Sequence, residues 1–342
     1  MNPPDRALIF IVGTQRSGTT LLRLILNAHS QIAIPEEARF LAPLLKRKYL
    51  TKGISGDSLK RTIRYLALND EFKLWNYDAS SFFSKLSTLT EISLRELIDS
   101  MFSSFCTAEG KTYWGDKSLF FDALDILNSL FPTAHFIHIV RDGRDVFDSW
   151  RKMEPTKNNA AVIALDWSYK LYRIERSFKH FAPDRQLTIR YEDLIDNPER
   201  TIKWVCAFVG VEYEPKMLEF HKTSHYYIGD HHSSLIHSPI SNLNRAKWRK
   251  NLTRDEAASF SLLAQHYLKK YGYETQLGTL SLSDLVRVFG SLTTHAPRRL
   301  SNVIRQRHAK SKALKRGEPV KILTAGSMPR GRKANDSAQY KD

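Results

Sequence analysis

Residues 7–27, ALIFIVGTQRSGTTLLRLILN, predict a strand, a short polar loop and a helix in direct succession. The apolar run over residues 7–13 is rich in β-branched side chains and ends in glycine, which is typical of a buried parallel strand. A polar turn follows over residues 14–18, and apolar residues recur at helical spacing over residues 19–27. This strand–loop–helix unit is the building block of a parallel sheet covered by helices.

Two later segments repeat the same order of elements. Their predicted strands, turns and helices are residues 135–140, 141–144 and 145–150, then 186–190, 191–194 and 198–209. Between the first two units the chain is predicted to be mostly helical, with amphipathic stretches over residues 93–105 and 119–131. Strands that alternate with helices indicate an α/β fold with a parallel central sheet flanked by helices. Ligands in such folds bind at the carboxyl ends of the strands, so the loops after residues 13, 140 and 190 are the candidate sites.

The net charge of +16 is concentrated near the C-terminus. Residues 297–342 carry 13 Lys and Arg against three acidic residues, whereas the first 296 residues carry 39 against 33. This asymmetry predicts a domain over residues 1–280 and a basic C-terminal extension over residues 281–342, whose last part is expected to be disordered. Pro297 is expected to interrupt the weakly amphipathic stretch 283–306. Such extensions contact anionic membranes or nucleic acid, or serve only in solvation.

Cysteine usage and hydropathy bear on the cellular compartment. Cys106 and Cys206 lie 100 residues apart, in no disulfide-framework or metal-site spacing. No stretch approaches the roughly 20 apolar residues of a membrane span, and the first residues lack the features of a signal peptide. We therefore expect a cytoplasmic protein. Peripheral contact with a membrane through the C-terminal extension stays an open alternative.

A group of histidines near the middle of the C-terminal half is the one candidate metal cluster. The group comprises His221, His225, His231, His232 and His237. It has no cysteine partners and lies in a serine-rich stretch, which favours a solvated or acceptor-binding loop over a metal site. No metal is expected.

The first loop has the glycine spacing of a phosphate-binding loop but lacks its lysine. Gly13 and Gly18 are correctly spaced, and Thr19 stands where the lysine follows the second glycine. Backbone N–H groups and the N-terminus of the helix can still bind a phosphate. Arg16 supplies the cation inside the loop, which favours an anion near the 5′ end of a nucleotide over a triphosphate held with Mg²⁺. A plain polar turn is the structural alternative.

The second loop, after the strand 135–140, offers another pair of anion ligands. Arg141 ends the strand, and Ser149 lies eight residues later, about two turns into the predicted helix. Both side chains could converge on a second anion beside the first loop. Alone, residues 141–145 could equally form a solvated turn with local ion pairs.

Together the two loops strongly resemble those of the sulfotransferases that use 3′-phosphoadenosine 5′-phosphosulfate (PAPS). TQRSGTT at residues 14–20 is similar to the PxRSGTT-like loop that binds the 5′-phosphosulfate, although Gln15 replaces the usual proline. VRDGRDVFDS at residues 140–149 is similar to the segment whose Arg and Ser bind the 3′-phosphate. RYEDL at 190–194, NPE at 197–199 and KWR at 247–249 extend the resemblance, which spans residues 7–273.

The resemblance implies a P-loop-containing nucleoside-triphosphate-hydrolase-like sulfotransferase fold, with residues 1–280 as the sulfotransferase domain. It also implies the residues that bind PAPS, the co-substrate. These are Arg16, Ser17, Gly18, Thr19, Thr20, Arg141, Ser149, Tyr191, Lys247 and Arg249.

In its motifs the chain is most similar to the tyrosylprotein sulfotransferase-like and bacterial branch. PEEAR at residues 35–39 resembles a GEETR-like segment whose second Glu is the general base, which implies that role for Glu37. An ordinary helix start is the alternative, since Pro followed by acids is favoured there, and Glu36 stays open as the base. Asp116 and Lys117 resemble an Asn-Lys segment whose Lys neutralises the sulfuryl group or the bridging oxygen, with a plain surface lysine as the alternative. Arg16, Glu37 and Lys117 are thus the implied catalytic residues.

The implied activity is transfer of the sulfuryl group of PAPS to a hydroxyl of a carbohydrate, lipid, small molecule or tyrosyl acceptor. Two alternatives remain. One is a P-loop kinase or NTPase, against which the missing lysine argues. The other is a non-catalytic protein that binds a membrane or nucleic acid through the basic extension, although nucleic acid is not the expected partner.

Overall fold

The computed structural model describes residues 7–153, 158–223, 238–275 and 282–319 of the chain. Its centre is a five-stranded sheet in the order β2-β5-β1-β6-β7, in which all neighbouring strands are parallel. A separate antiparallel pair joins β3 to β4. The strands are β1 (Ala7–Gly13), β2 (Ile32–Ala33), β3 (Ile54–Ser55), β4 (Glu91–Ile92), β5 (Tyr113–Asp116), β6 (His135–Val140) and β7 (Gln186–Arg190).

Helices of very different lengths connect and flank these strands. In chain order they are α1 (Thr19–Asn27), α2 (Lys48–Thr51), α3 (Gly56–Ala67), α4 (Asp70–Lys73), α5 (Ser80–Ser87), α6 (Leu94–Ala108), α7 (Leu124–Leu130), α8 (Gly143–Met153), α9 (Ala160–Phe178), α10 (Tyr191–Asp196), α11 (Pro198–Val209), α12 (Phe220–Thr223), α13 (Trp248–Asn251), α14 (Arg254–Leu263), α15 (Gln265–Lys270) and α16 (Leu282–Arg316). Within the described ranges, no helix combines the length and the low charge that a bilayer crossing needs.

The central strand β1 contributes to a hydrophobic core on each face of the sheet. Phe10 and Val12 pack into a core that also contains residues of α6, whereas Ile9 and Ile11 pack into a second core with residues of α1 and α11. Side chains alternate between the faces of a strand, so a continuous apolar run fills both cores. Burial of both faces thus explains the continuous apolar run from which the strand was predicted.

The predicted parallel sheet with flanking helices is confirmed, as are the first two strand–loop–helix units. In the third, the predicted strand and helix form as β7 and α11, but the residues between them form the helix α10. The helix after β6 begins at Gly143, two residues before the predicted start. In the region predicted to be mostly helical, the amphipathic stretch 119–131 forms helix only over Leu124–Leu130. The same region also holds β2 and β5, which the periodicity did not indicate. Both strands are very short, so they carry little pattern of their own; β5 pairs with β1, and β2 pairs with β5 at the edge of the sheet.

The basic C-terminal region differs most from its prediction. Helix α16 continues through Pro297, where an interruption was expected. Its last turns pack onto the body, since Ala313 and Leu314 are buried in the same core as Phe10. The domain boundary at residue 280 stays a prediction. Residues 320–342, which include the last part of the extension expected to be disordered, lie outside the described residues, as do residues 225, 231, 232 and 237 of the histidine group.

Candidate functional site

The loop between β1 and α1 depends on glycine for its close packing. Gly18 has a φ of +93°, and a Cβ at this position would lie 2.4 Å from Cδ2 of Tyr191. A Cβ on Gly13 would lie 2.6 Å from the carbonyl oxygen of Ile139. Tyr191, at the start of α10, therefore packs directly against the loop. Ser17 is buried and its Oγ lies 2.5 Å from Oγ1 of Thr14, so both hydroxyls are inside the turn.

Gly18→Ala is expected to disrupt this loop. A left-handed backbone costs an L-residue about 1–2 kcal/mol, and the contact with Tyr191 adds a clash that the packed ring cannot relieve easily. We expect a lower midpoint of chemical denaturation and weaker binding of adenosine 3′,5′-bisphosphate. Gly110→Ala is a matched control, because Gly110 has a φ of +65° and open space around its Cβ position. An equal decrease of the denaturation midpoint in both variants would show that the contact with Tyr191 adds nothing to the cost of the left-handed backbone.

Arg16 contacts both Arg141 and Ser149 where the chain leaves β1 and β6. Arg16 has a φ of +71°, and its Nε donates to Oγ of Ser149 over 2.8 Å. Nη1 of Arg141 donates to the carbonyl oxygen of Arg16 over 3.0 Å. The guanidinium of Arg141 also stacks on the ring of Tyr191, 4.5 Å from its centroid. The structure thus brings together four of the predicted site residues from three separate loops.

Positive charge is concentrated at this junction. Burial, and then the neighbouring Arg141, lowers the pKa of Arg16. Nε of Arg141 is buried and has no hydrogen-bond partner among the described residues. Asp145 approaches Arg141 at 3.9 Å, but burial raises the pKa of Asp145 to about 6. Two adjacent guanidiniums, with one carboxyl group 3.9 Å from the second, form a suitable site for a phosphate.

The turn after β6 is buried, so the alternative of a solvated turn is wrong. Arg144 is 2% exposed and pairs with Asp142 over 2.8 Å, while its guanidinium lies 3.8 Å from the ring centroid of Trp248. Asp145 accepts hydrogen bonds of 2.8 Å from the backbone N–H groups of Ala246 and Trp248. A local ion pair does form between Arg144 and Asp142, while the hydrogen bonds to Asp145 and the stacking on Trp248 attach a distant segment to the turn.

The segment around residues 244–249 contributes its backbone and its tryptophan to the site. Nη2 of Arg141 donates to the carbonyl oxygen of Asn244 over 2.6 Å. The side chains of Lys247 and Arg249 are exposed, and Arg249 pairs with Glu274. Their predicted role in binding PAPS stays a prediction. Sequence reasoning missed Asn244, which acts here through its carbonyl, and it gave Trp248 no role although KWR was part of the resemblance.

The two glutamates of PEEAR have different partners. Glu36 pairs with Arg23 of α1 over 2.6 Å. Glu37 accepts a 2.5 Å hydrogen bond from Nζ of Lys117, which also lies 3.3 Å from Oγ1 of Thr20 at the start of α1. Lys117 is 1% exposed, so it is not a surface lysine. Thr20 and Lys117 therefore connect Glu37 to the N-terminus of α1, while Glu36 faces a structural arginine.

Three cations determine the charge of Glu37. Burial acts to raise the pKa of its carboxyl, but Lys117 and Arg39, and more weakly Arg23, outweigh burial and hold that pKa below its ordinary value. Arg39 lies 3.4 Å from Glu37 and 3.1 Å from Glu71. The carboxylate is thus ionised at neutral pH, as a proton acceptor must be.

A buried hydrogen-bond chain fixes the backbone beside Glu37. Ser118 donates from its N–H (3.0 Å) and its Oγ (2.5 Å) to the carboxylate of Asp116, and its Oγ accepts from the N–H of Ala38 over 2.6 Å. Burial raises the pKa of Asp116 to about 6. The loop after β5 is thereby attached to the segment that carries Glu37, with Lys117 between them.

Ser118→Ala is expected to loosen this attachment. The variant leaves the N–H of Ala38 and one oxygen of Asp116 unpaired in a buried position, which costs about 1–3 kcal/mol of unfolding free energy. Because Ala38 is adjacent to Glu37, we also expect a lower turnover number. Denaturation in urea and steady-state kinetics measure the two effects, with the exposed Ser87→Ala as a control for removal of a hydroxyl. Unchanged turnover in Ser118→Ala would show that this chain does not position Glu37.

Among the described residues, no group of three or more His, Cys, Asp or Glu side chains is arranged to hold a metal ion. Positive charge in and around the first loop comes from Arg16, Arg141 and Lys117. Positioned cations and backbone donors are the means by which a site binds a phosphate or a transferring anionic group without a metal.

Comparison with known proteins agrees with this geometry. The sulfotransferase family profile matches residues 8–215, more than half of the chain. Protein-tyrosine sulfotransferase 1 of Danio rerio is 28% identical over 223 residues, which cover 63% of this chain and 56% of that protein. The Homo sapiens protein of the same name is 24% identical over 282 residues, covering 79% of this chain and 70% of that one. The chain thus spans little more than half of the zebrafish relative.

Two solved structures share the fold. The sulfotransferase domain of the Synechococcus PCC 7002 olefin synthase has a TM-score of 0.56 at 21% identity, over 80% of this chain and 98% of that domain. The sulfotransferase domain of the curacin biosynthetic pathway has a TM-score of 0.52 at 21% identity, over 78% of this chain and 98% of that domain. The central sheet, its flanking helices and the profile match lead to one conclusion: the chain belongs to the sulfotransferase family.

Proposed function

We propose that this protein transfers the sulfuryl group of PAPS to an acceptor hydroxyl, with Glu37 as the general base. The observation that carries the proposal is the convergence of Arg16, Arg141 and Ser149 at the loop that opens α1. Family membership supports sulfuryl transfer as the reaction class. The cations Arg16 and Arg141 suit a donor that carries one anionic group on the 5′ side of its ribose and another on the 3′ side.

The donor is proposed to bind across the carboxyl ends of β1 and β6. The N–H groups of residues 17–20, at the N-terminus of α1, face the 5′-phosphosulfate, as helix N-termini favour anions. Arg141 and Ser149 face the 3′-phosphate, and Tyr191 supports the loop from behind. Nε of Arg141, which lacks a partner among the described residues, supplies a donor for this phosphate.

Catalysis is proposed to depend on charge positioning and one proton transfer. The acceptor oxygen forms a bond to sulfur while the bond between sulfur and the phosphate oxygen of the donor breaks. Glu37 takes the proton of the acceptor hydroxyl. Lys117, in contact with both Glu37 and Thr20, neutralises charge on the sulfuryl group or on the leaving phosphate oxygen. Arg16 acts similarly from the loop.

The acceptor class is proposed to be a hydroxyl, with the tyrosyl hydroxyl tested first. Two relatives in the comparison are named protein-tyrosine sulfotransferases, although identity to them is below 30%. Carbohydrate, lipid and small-molecule hydroxyls remain in the panel. A kinase or NTPase is not favoured, because Thr19 occupies the position of the phosphate-binding lysine and the family profile covers residues 8–215.

A thermal shift experiment tests the donor directly. Adenosine 3′,5′-bisphosphate, 5′-AMP and Mg·ATP are compared at equal concentrations. At 100 times its dissociation constant a ligand stabilises the protein by about 2.7 kcal/mol, which is readily measured. We expect selective stabilisation by the bisphosphate, followed by transfer of label from [³⁵S]PAPS to a tyrosine peptide or another hydroxyl of the panel. Stabilisation by Mg·ATP alone would show that the proposed donor is wrong.

A further inference from the structure

The first loop begins with a reverse turn over residues 14–17 that lacks the residues this turn type favours. The N–H of Ser17 donates to the carbonyl oxygen of Thr14 over 3.2 Å, and Arg16, the third residue, has a φ of +71°. The φ of Gln15, the second residue, is not positive, which matches a type II turn. Such turns favour proline as the second residue and glycine as the third. With neither present, this turn depends on contacts from outside it.

A buried lysine of α9 supplies one such contact. Nζ of Lys170 donates to Oε1 of Gln15 over 2.7 Å and to Oδ2 of Asp166, one helical turn earlier, also over 2.7 Å. Lys170 is only 7% exposed, and the neighbouring side chains of Trp167 and Leu171 fix α9 in the core. The ammonium is therefore held on a rigid helix, and its charge-assisted hydrogen bond restrains the side chain of Gln15.

Lys170 and its helix also contact the loop after β5. The ammonium of Lys170 lies 5.8 Å from the ring centroid of Phe121, within the range of a cation–π contact. Further along α9, Arg173 pairs with Asp122 over 2.8 Å. Phe121 and Asp122 both lie in the segment between Lys117 and α7. One helix thus contacts both the turn that precedes α1 and the loop that carries Lys117.

We propose that Lys170 is a positioning residue for the donor: by holding Gln15, it fixes the turn that directs the N–H groups of residues 17–20 toward the 5′-phosphosulfate. This inference rests on the proposed function, in which those N–H groups bind the donor. A residue other than proline leaves the φ of the second turn position unrestricted. The hydrogen bond from Lys170 restricts Gln15 through its side chain, as a proline would be restricted by its own ring.

The test compares nucleotides that do and do not need the first loop. Lys170→Met is expected to weaken binding of adenosine 3′,5′-bisphosphate about tenfold in isothermal titration, because the turn loses its restraint. Binding of adenosine 3′-monophosphate, which has no 5′-phosphate, is expected to change much less. Lys203→Met is the matched control, since Lys203 also forms an i, i+4 ion pair of 2.7 Å, with Glu199, and lies exposed on α11. We expect this variant to bind both nucleotides as the wild type does.

Substitutions in the turn show whether Lys170 acts through Gln15. Gln15→Ala is expected to weaken binding of the bisphosphate as much as Lys170→Met does, and the double variant Gln15→Ala/Lys170→Met is expected to weaken it no further. Gln15→Pro/Lys170→Met is expected to recover most of the wild-type affinity, because proline presets the φ of the second turn residue. A purely structural role of Lys170 within α9 would not respond to proline in the loop.

Failure of this inference and failure of the proposed function give different results. Wild-type affinity for the bisphosphate in Lys170→Met would overturn the inference, and so would additive losses in Gln15→Ala/Lys170→Met. If Lys170→Met does not fold, Gln15→Ala, which keeps the pair of Lys170 with Asp166, decides alone, and wild-type affinity in it overturns the inference. Urea denaturation of the same variants measures the coupling of Gln15 to Lys170 without ligand. If that coupling is present but the wild-type protein does not bind the bisphosphate, the proposed function is wrong while the restraint of the turn by Lys170 stands.

Discussion

Glu37→Gln is expected to lower the rate of sulfuryl transfer by about 10²–10⁴-fold, the usual contribution of a general base. The amide oxygen can still accept the hydrogen bond from Lys117, but it cannot take the proton of the acceptor hydroxyl. Stabilisation by adenosine 3′,5′-bisphosphate is expected to persist, because the donor contacts come from the other loops. Steady-state rates with [³⁵S]PAPS and thermal shifts on the same preparation separate the two effects.

Glu36→Gln is the matched comparison for this variant. Glu36 pairs with Arg23 and does not contact Lys117, so its loss is expected to reduce stability far more than turnover. The pH profile gives an independent check. Since the pKa of Glu37 is held below its ordinary value, the base stays ionised at neutral pH and activity falls only as the pH drops through that lowered pKa. Full turnover by Glu37→Gln would exclude Glu37 as the base.

Arg141→Ala is expected to weaken binding of adenosine 3′,5′-bisphosphate by about 100-fold, since a buried guanidinium–phosphate contact is lost. Binding of 5′-AMP, which lacks the 3′-phosphate, is expected to change much less. Comparing the two nucleotides separates loss of the 3′-phosphate contact from damage to the first loop, because Arg141 also donates to the carbonyl oxygen of Arg16 in that loop. Isothermal titration with both nucleotides measures the difference.

The control for this prediction is Arg249→Ala. The resemblance implies that Arg249 binds the donor, whereas the structure has its side chain exposed and paired with Glu274. We expect little change in affinity for either nucleotide. Equal weakening of both nucleotides by Arg141→Ala would contradict a dedicated 3′-phosphate site and assign the arginine to the loop alone.

Much of the candidate site was predictable because its residues lie in short, ordered motifs. Arg16 and Ser149 are in loops that directly follow apolar strands, and parallel strands bring their carboxyl ends to one edge of the sheet. The proximity of the two loops therefore follows from two local patterns, whereas the direct hydrogen bond from Arg16 to Ser149 was not predicted. The contacts of Asn244 and Trp248 could not be predicted in the same way, since a carbonyl and a ring that contact distant arginines leave no periodic or charge signature.

The sequence by itself determined the strand–loop–helix units, the position of the two candidate loops and the family, because burial periodicity and glycine requirements act over a few neighbouring residues. Only the tertiary structure decided which glutamate meets Lys117, since Glu36 and Glu37 are adjacent and equivalent in composition. It also decided that the basic region packs onto the body of the protein. Net charge describes composition, whereas the inward face of α16 depends on contacts with Asp122, Lys46 and the core, which lie far away in the chain.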